Sequence, residues 1–228
     1  MNDLIQNYGI YFLVGQYPEG PLGGLALTLV LATLALLLAL PLGIIFGLCR
    51  VSPVDSLRKT SSILLGIIRG VPLLLIIFWA YFLLPALTGQ RTGQFSTMLT
   101  ALIIFDAAYI AEIVRAGIQS LPKGQMECAR SLGFGYMQSM RLVILPQSLT
   151  NMLPSLVNQL VSTIKETSLG FIVSLPEVSF IANRISTQVL TKSLEVYSLL
   201  ALSYFVMCFG LSRFAFYLER RLAKNKIQ

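Results

Sequence analysis

Histidine is absent from this chain of 228 residues, and only 12% of its residues are charged. The first absence removes the commonest general base and the commonest metal ligand. The second sets the chain apart from soluble domains, where about a quarter of residues carry charge. Asp3, Asp55 and Asp106 are its only aspartates, each alone in sequence, so enzymes built on paired aspartates fit badly. No lysine follows a glycine, which excludes the phosphate loop of an ATP-hydrolysing subunit. Gly-x-Ser-x-Gly and His-Glu-x-x-His are missing too, so familiar hydrolase chemistry has no support. Cys49, Cys128 and Cys208 match no metal spacing and read as small apolar packing residues. Residues 1–20 contain no Lys or Arg, so no cleavable signal is expected there.

What is present is apolar: 55% of residues are hydrophobic, more than one soluble core can hide. A spanning helix needs about 20 mostly apolar residues. Five stretches qualify: Gly20–Cys49, with Pro41 inside it, then Ser62–Leu84, Phe95–Ile113, a fourth from Asn151–Pro154 to Leu175, and Val196–Leu218. The formal charge of +7 is distributed unevenly between them. Arg50, Arg58 and Lys59 occupy the first loop, Arg91 alone the second, and Arg115, Lys123, Arg130 and Arg141 the third. Arg184 and Lys192 lie in the fourth, and Arg213, Arg220, Arg221, Lys224 and Lys226 at the C-terminal end. The positive-inside rule then predicts an N-terminus outside and a C-terminus in the cytoplasm. The basic residues mark topology rather than a stripe for nucleic acid, which is not expected as a partner. The expected organisation is an external N-terminal segment (1–20), a membrane domain (21–218) holding a cytoplasmic loop (116–146), and a cytoplasmic tail (219–228).

That loop is long enough to need a reason. Two short helices fit it. One runs from about Pro122 to Leu132, with Ser120 as its cap and Met126, Ala129 and Leu132 on one narrow apolar face. Gly133 and Gly135 let the chain turn. The second runs from Tyr136 to Leu145, lined on one side by Met137, Met140, Val143 and Ile144, with Pro146 at its exit. Such a hairpin either lies on the bilayer and its own bundle or docks into a groove on a cytoplasmic partner.

The loop resembles the signature of the permeases of bacterial ATP-binding-cassette importers: Glu-Ala-Ala, three residues, Gly, nine residues, Ile-x-Leu-Pro. This chain has Glu127, Cys128 and Ala129, then Gly133, then Val143, Ile144, Leu145 and Pro146. Cys128 and Val143 are the departures, both small or nearly isosteric. The stretches Arg69–Leu73, Ala108–Ile118, Ile144–Gln147 and Lys165–Leu169 narrow the resemblance to the polar amino-acid branch, of histidine, glutamine and glutamate/aspartate type. The resemblance runs from about residue 20 to the C-terminus. It implies an all-α membrane protein with the five-helix transmembrane domain of a type I importer, in a bacterial inner membrane. It also implies ATPase coupling through Gly124, Gln125, Glu127, Cys128, Ala129, Arg130, Gly133, Arg141 and Pro146. The implied partners are a second permease, identical or related, a cytoplasmic ATPase dimer that carries ATP and Mg, a periplasmic amino-acid-binding protein, and membrane lipid. No cofactor or metal is expected on this chain.

Charged residues inside a membrane are costly and face the bundle interior or a wet cavity. Arg69, Asp106, Lys165 and Glu166 are such residues here. Lys165 and Glu166 either bind the two ends of a zwitterionic amino acid or pair with Arg69 and Asp106 to hold spans together. Thr167 and Ser168 add hydroxyls near a kink, where broken helices often form substrate sites, or make ordinary helix–helix hydrogen bonds. Pro72 and Tyr109 complete the expected pathway. Glu112 and Arg115 read as residues that anchor or gate the inner end of the third span, and Glu127 pairs either with the partner or with Arg130 on its own helix. The resemblance implies transport of a polar amino acid by alternating access, with glutamate, aspartate or glutamine favoured. The alternative is a stand-alone carrier or channel. A secondary carrier usually shows two related halves, and no internal repeat is evident.

Overall fold

The computed structural model describes residues 2–89 and 93–224, so Arg91 and Lys226 lie outside the described residues. Helix α1 spans Asn2–Val14, α2 Gly24–Arg50, α3 Asp55–Gly70, α4 Leu73–Phe78, α5 Leu84–Thr88 and α6 Gln94–Gln119. Then follow α7 (Gly124–Ser131), α8 (Tyr136–Ser139), α9 (Leu145–Glu166), α10 (Val178–Gln188) and α11 (Ser193–Lys224). Among the described residues, three helices are long and apolar enough to cross a membrane: α2, α6 and the run that contains α11.

The expected second span is interrupted. Helix α3 ends at Gly70, and α4 starts after Pro72, whose ψ of 136° is extended. Proline has no amide hydrogen and pushes its predecessor out of the helical region, so the helix stops there. The fourth span also starts differently. Helix α8, a π-helical turn at Met140–Ile144 and α9 follow one another without a break, so helical backbone runs from Tyr136 to Glu166. Pro146 is therefore no exit. A π turn shifts the hydrogen-bond register, and such a shift lets a helix continue past a proline. After Glu166 the chain tightens into a 3-10 helix, Thr167–Val173, which ends at Ser174 with φ 59°.

The chain forms two compact units interleaved in sequence. The first comprises Met1–Leu38, Val71–Ile104 and Leu160–Gly210. Its core joins Leu4 and Phe12 of α1 to Val178, Ile181, Ala182 and Ile185 of α10 and to Val196 of α11. Helices α1 and α10 fall in the N-terminal segment and the fourth loop, for which the sequence predicts no helix. Glu177 explains the second: wholly buried, it caps α10 by accepting from the amides of Ser179 (2.9 Å) and Phe180 (2.8 Å). Gly24 begins α2 at φ +58°, and its amide donates to Pro176 at 2.8 Å.

The second unit comprises Ala39–Gly70, Phe105–Gln159 and Leu211–Gln228. Here α2 and α6 meet along Gly43 and Gly47. A Cβ on Gly43 would lie 2.5 Å from Ile110 Cβ, and one on Gly47 would lie 2.6 Å from Val114 Cβ. Small residues four apart let two membrane helices approach closely where no hydrophobic effect drives them together. Leu65, Ala108 and Ala111 close the packing beside them.

Candidate functional site

The loop of the second unit shows why its sequence has the form it does. Helix α7 begins at Gly124, two residues after Pro122, and ends at Ser131. Gly133 follows at φ +86°, its amide donating to Arg130 (3.0 Å) while the Phe134 amide donates to Ala129 (3.2 Å). These are the paired bonds of a helix terminated by a left-handed residue. No atom lies within 4 Å of where a Gly133 Cβ would sit. The glycine of the signature is thus required by backbone conformation rather than by space.

Fastenings on three sides hold the hairpin. Gln147 on α9 donates to Gln125 on α7 at 3.2 Å. Asn151 donates to the Ser120 hydroxyl at 3.0 Å. The Tyr136 hydroxyl donates to the Val51 carbonyl, 85 residues earlier, at 3.0 Å. Burial pushes the Tyr136 phenol above the usual tyrosine range, so it stays a donor. Ser120 is not the cap of α7, which has no side-chain cap; its hydroxyl returns to Gly117 at the end of α6. Helix α7 is therefore tied to α9, the chain that leads into it is tied to α9 as well, and α8 is tied to the connection between α2 and α3. A segment that transmits rigid-body motion needs such anchorage.

The apolar faces differ from the periodicity. Ala129, Met140 and Ile144 are buried, as the loop's inward stripe requires. Leu132 and Met137 are 76% and 73% exposed. Leu132 is the residue at which α7 terminates, and Met137 opens the next helix, so the turn at Gly133 presents both at the tip. Cys128 is exposed as well and is not a packing residue. Glu127 and Arg130 are both exposed, and among the described residues neither has an ion-pair partner, so the self-pairing alternative is not realised. Gly124 is exposed on the first turn of α7, while Arg141 and Pro146 are exposed near the start of α9. Gln125 is half-buried.

Arg69 has found a different carboxylate from those expected. It pairs with Glu112 at 3.2 Å. Glu112 also pairs with Arg50 and with Arg115, whose Nε donates to it at 3.0 Å. Three guanidinium groups share one carboxylate, all of them partly screened from water, and Arg50 Nε and Arg69 Nε are left without a partner. Glu112, expected as an anchor, is the hub of this cluster. Removing it leaves an uncompensated cationic group, which for buried pairs costs about 3–5 kcal/mol and less where water reaches. Glu112→Gln is expected to destabilise the protein by about 1–3 kcal/mol, read as a lowered Tm in detergent. An unchanged Tm would show that the cluster carries no stability.

Asp106 is fully buried and accepts from Gln159 at 2.8 Å, one turn from Tyr109 on the same helix. In the first unit, Lys165 and Glu166 end α9, and Lys165 is exposed. Thr167 is buried and donates to Ile164 at 2.7 Å, and Ser168 donates to Lys165 at 2.6 Å. Both hydroxyls thus return to the last turn of α9, where the helix gives way to the 3-10 segment. Pro72 sits at the interruption before α4. Neither the Gly43–Gly47 pair nor the Glu112 hub is among the sequence expectations; the Gly-x-x-x-Gly spacing is the signal that could have marked the first, and the second stands out by neither charge nor hydropathy alone.

Residues 39–224 match the family described as "Binding-protein-dependent transport system inner membrane component". The chain is 37% identical over 214 residues to the probable glutamine ABC transporter permease protein GlnP of Bacillus subtilis, covering 91% of this chain and 98% of that one. It is 39% identical over 218 residues to the inner membrane amino-acid ABC transporter permease protein YhdY of Escherichia coli, covering 94% of this chain but spanning only 59% of the relative. A solved structure, described as that of an amino acid ABC transporter with histidines, superposes with a TM-score of 0.80 at 34% identity, over 87% of this chain and 92% of that one. The fold is that of a type I importer permease, and the chain belongs to the family of inner-membrane components of binding-protein-dependent transport systems, among its amino-acid ABC transporter permeases.

Proposed function

We propose that this chain forms, with a second identical or related permease, the membrane pathway of an ATP-driven importer of a polar amino acid. A periplasmic binding protein delivers the substrate. An ATPase dimer docks on the tip of the loop at residues 124–137, on the cytoplasmic side, and hydrolysis takes place there rather than on this chain. ATP closes the dimer, the loop helices move with it, and the pathway opens outward; hydrolysis returns it inward.

The observation that carries this reading is the loop tip: two exposed apolar side chains, Leu132 and Met137, with Glu127 and Arg130 exposed and without ion-pair partners among the described residues, on a hairpin fastened from behind. A hairpin lying on its own bundle would turn Leu132 inward. Docking into a groove with a charged rim accounts for both features. Positive charge at Arg69 in the second unit and, separately, at the exposed Lys165 in the first favours a carboxylate-bearing substrate, with glutamate, aspartate or glutamine as the class.

The test is a Ser131→Cys variant, co-expressed with a cassette ATPase and treated with a crosslinker with and without ATP. Ser131 is exposed at the end of α7. A nucleotide-dependent crosslink is expected. An inserted, folded permease that crosslinks to no ATPase would overturn the reading in favour of a stand-alone carrier or channel.

A further inference from the structure

Behind the loop, in the second unit, lies a cavity of about 600 Å³. Arg50, Arg58 and Lys123 stand around it, and Ile118, Met126 and Ile144 belong to its apolar floor. Among the described residues no carboxylate lines it. The three cations are held differently. Arg50 pairs with Glu112 and keeps an unpartnered Nε. Arg58 pairs with Asp55 at the surface. Lys123 is exposed, and its ammonium has no ion-pair partner among the described residues.

The depth of the cavity is set by the helices that end there. Arg50 is the last residue of α2, and Gln119, which also lines the cavity, is the last of α6. Helices of 27 and 26 residues rise about 40 Å, the thickness of a bilayer with its headgroups. The cavity therefore lies at headgroup level, at the basic face that the positive-inside rule assigns to the cytoplasm.

We infer that this cavity binds an anionic phospholipid of the inner leaflet, its phosphate among Arg50, Arg58 and Lys123 and the upper part of an acyl chain on the apolar floor. Basic pockets at the cytoplasmic ends of membrane helices hold such headgroups by charge, and the apolar floor adds a contact that a bare phosphate ion cannot make. The bound lipid would brace α7 against the Arg50–Arg58 segment, beside the hydrogen bond from Tyr136 to Val51. The inference rests on the proposed function only for which face of the membrane the cavity occupies.

The test uses the full-length permease in nanodiscs of phosphatidylglycerol and phosphatidylcholine, with retained lipid counted by native mass spectrometry. At about five-fold per cation, the Arg58→Gln/Lys123→Gln double variant is expected to retain about 25-fold less phosphatidylglycerol. Met126→Trp, which fills the floor without changing charge, should lose it too. The same charge removed by Arg220→Gln/Arg221→Gln, on the exposed final turns of α11, should leave retention unchanged. Equal losses from both charge pairs, or retention unaffected by Met126→Trp, would overturn the site. Release of the lipid from the wild-type protein by excess inorganic phosphate would overturn the lipid and make the ligand a soluble phosphate. None of these readouts requires ATP-dependent crosslinking at Ser131, so the docking reading stands or falls separately.

Discussion

Leu132→Asp is expected to abolish co-purification of the ATPase and to lower ATP-driven uptake by about 30-fold or more, while the permease remains folded. Interface anchors that become fully desolvated on binding contribute about 2–4 kcal/mol, and 2 kcal/mol is already a factor of about 30. Leu132 is 76% exposed in this chain, so its own fold has little to lose from the change. Aspartate adds desolvation of a charge to the lost apolar contact. Leu132→Ala should fall between the two, since it removes the contact without adding charge. Cys128→Ser, on the same helix and exposed, should be nearly silent for folding. The measurement is a pull-down in detergent followed by uptake in proteoliposomes. An ATPase that binds Leu132→Asp as tightly as wild type would show that the loop tip is not the docking surface, even if the family assignment holds.

The contrast between Leu132 and Ala129 explains what the sequence can and cannot disclose. Both sit at helical spacing from Met126, so periodicity places them on one face. Ala129 is 3% exposed, whereas Leu132 lies where Gly133 turns the chain. A residue in the last half-turn of a short helix is oriented by the cap and not by the period. The long spans were legible because α2 and α6 are continuous apolar helices whose composition alone decides the matter. The position of the loop and the need for Gly133 were legible for the same local reason. Two helix limits were not. Val71-Pro72 breaks a helix although the hydropathy runs on through it, and Pro146 does not, because the π turn before it takes up the mismatch. Both prolines carry the same local signal, and tertiary surroundings decide the outcome. The Glu112 hub was hidden for a different reason. Its partners Arg50 and Arg69 lie 62 and 43 residues away, and only packing brings them to one carboxylate. The cap at Glu177 is a local signal, but the helix that it starts is buried by α1, a contact that no sequence pattern announces.

The packing seam of α2 and α6 should fail outright when Gly43 and Gly47 are both replaced by leucine. A Cβ at Gly43 would lie 2.4 Å from Ile110 Cγ2 and 3.2 Å from the Ala107 carbonyl; at Gly47 it would lie 2.6 Å from Val114 Cβ and 3.0 Å from the Ala111 carbonyl. Ile110 and Val114 are β-branched and held to one rotamer on a helix, so they cannot swing aside, and the carbonyls belong to the α6 backbone. Relief must come from moving the helices apart. Overpacking costs about 1–3 kcal/mol at one site, and two sites on one seam do not relax independently. The expected result is a loss of several kcal/mol, enough to remove most of a marginal stability, read as aggregation on size-exclusion chromatography and loss of the folded fraction at ordinary temperatures. Gly43→Ala alone should be milder, with a lowered Tm and partial activity. The decisive comparison is compensation: Ile110→Ala and Val114→Ala, placed on Gly43→Ala/Gly47→Ala, should restore a large part of the Tm by reopening the space that the new methyls need. If they lower it further, the seam is not limited by close approach at the glycines, and the helices are held together by contacts elsewhere along α2 and α6.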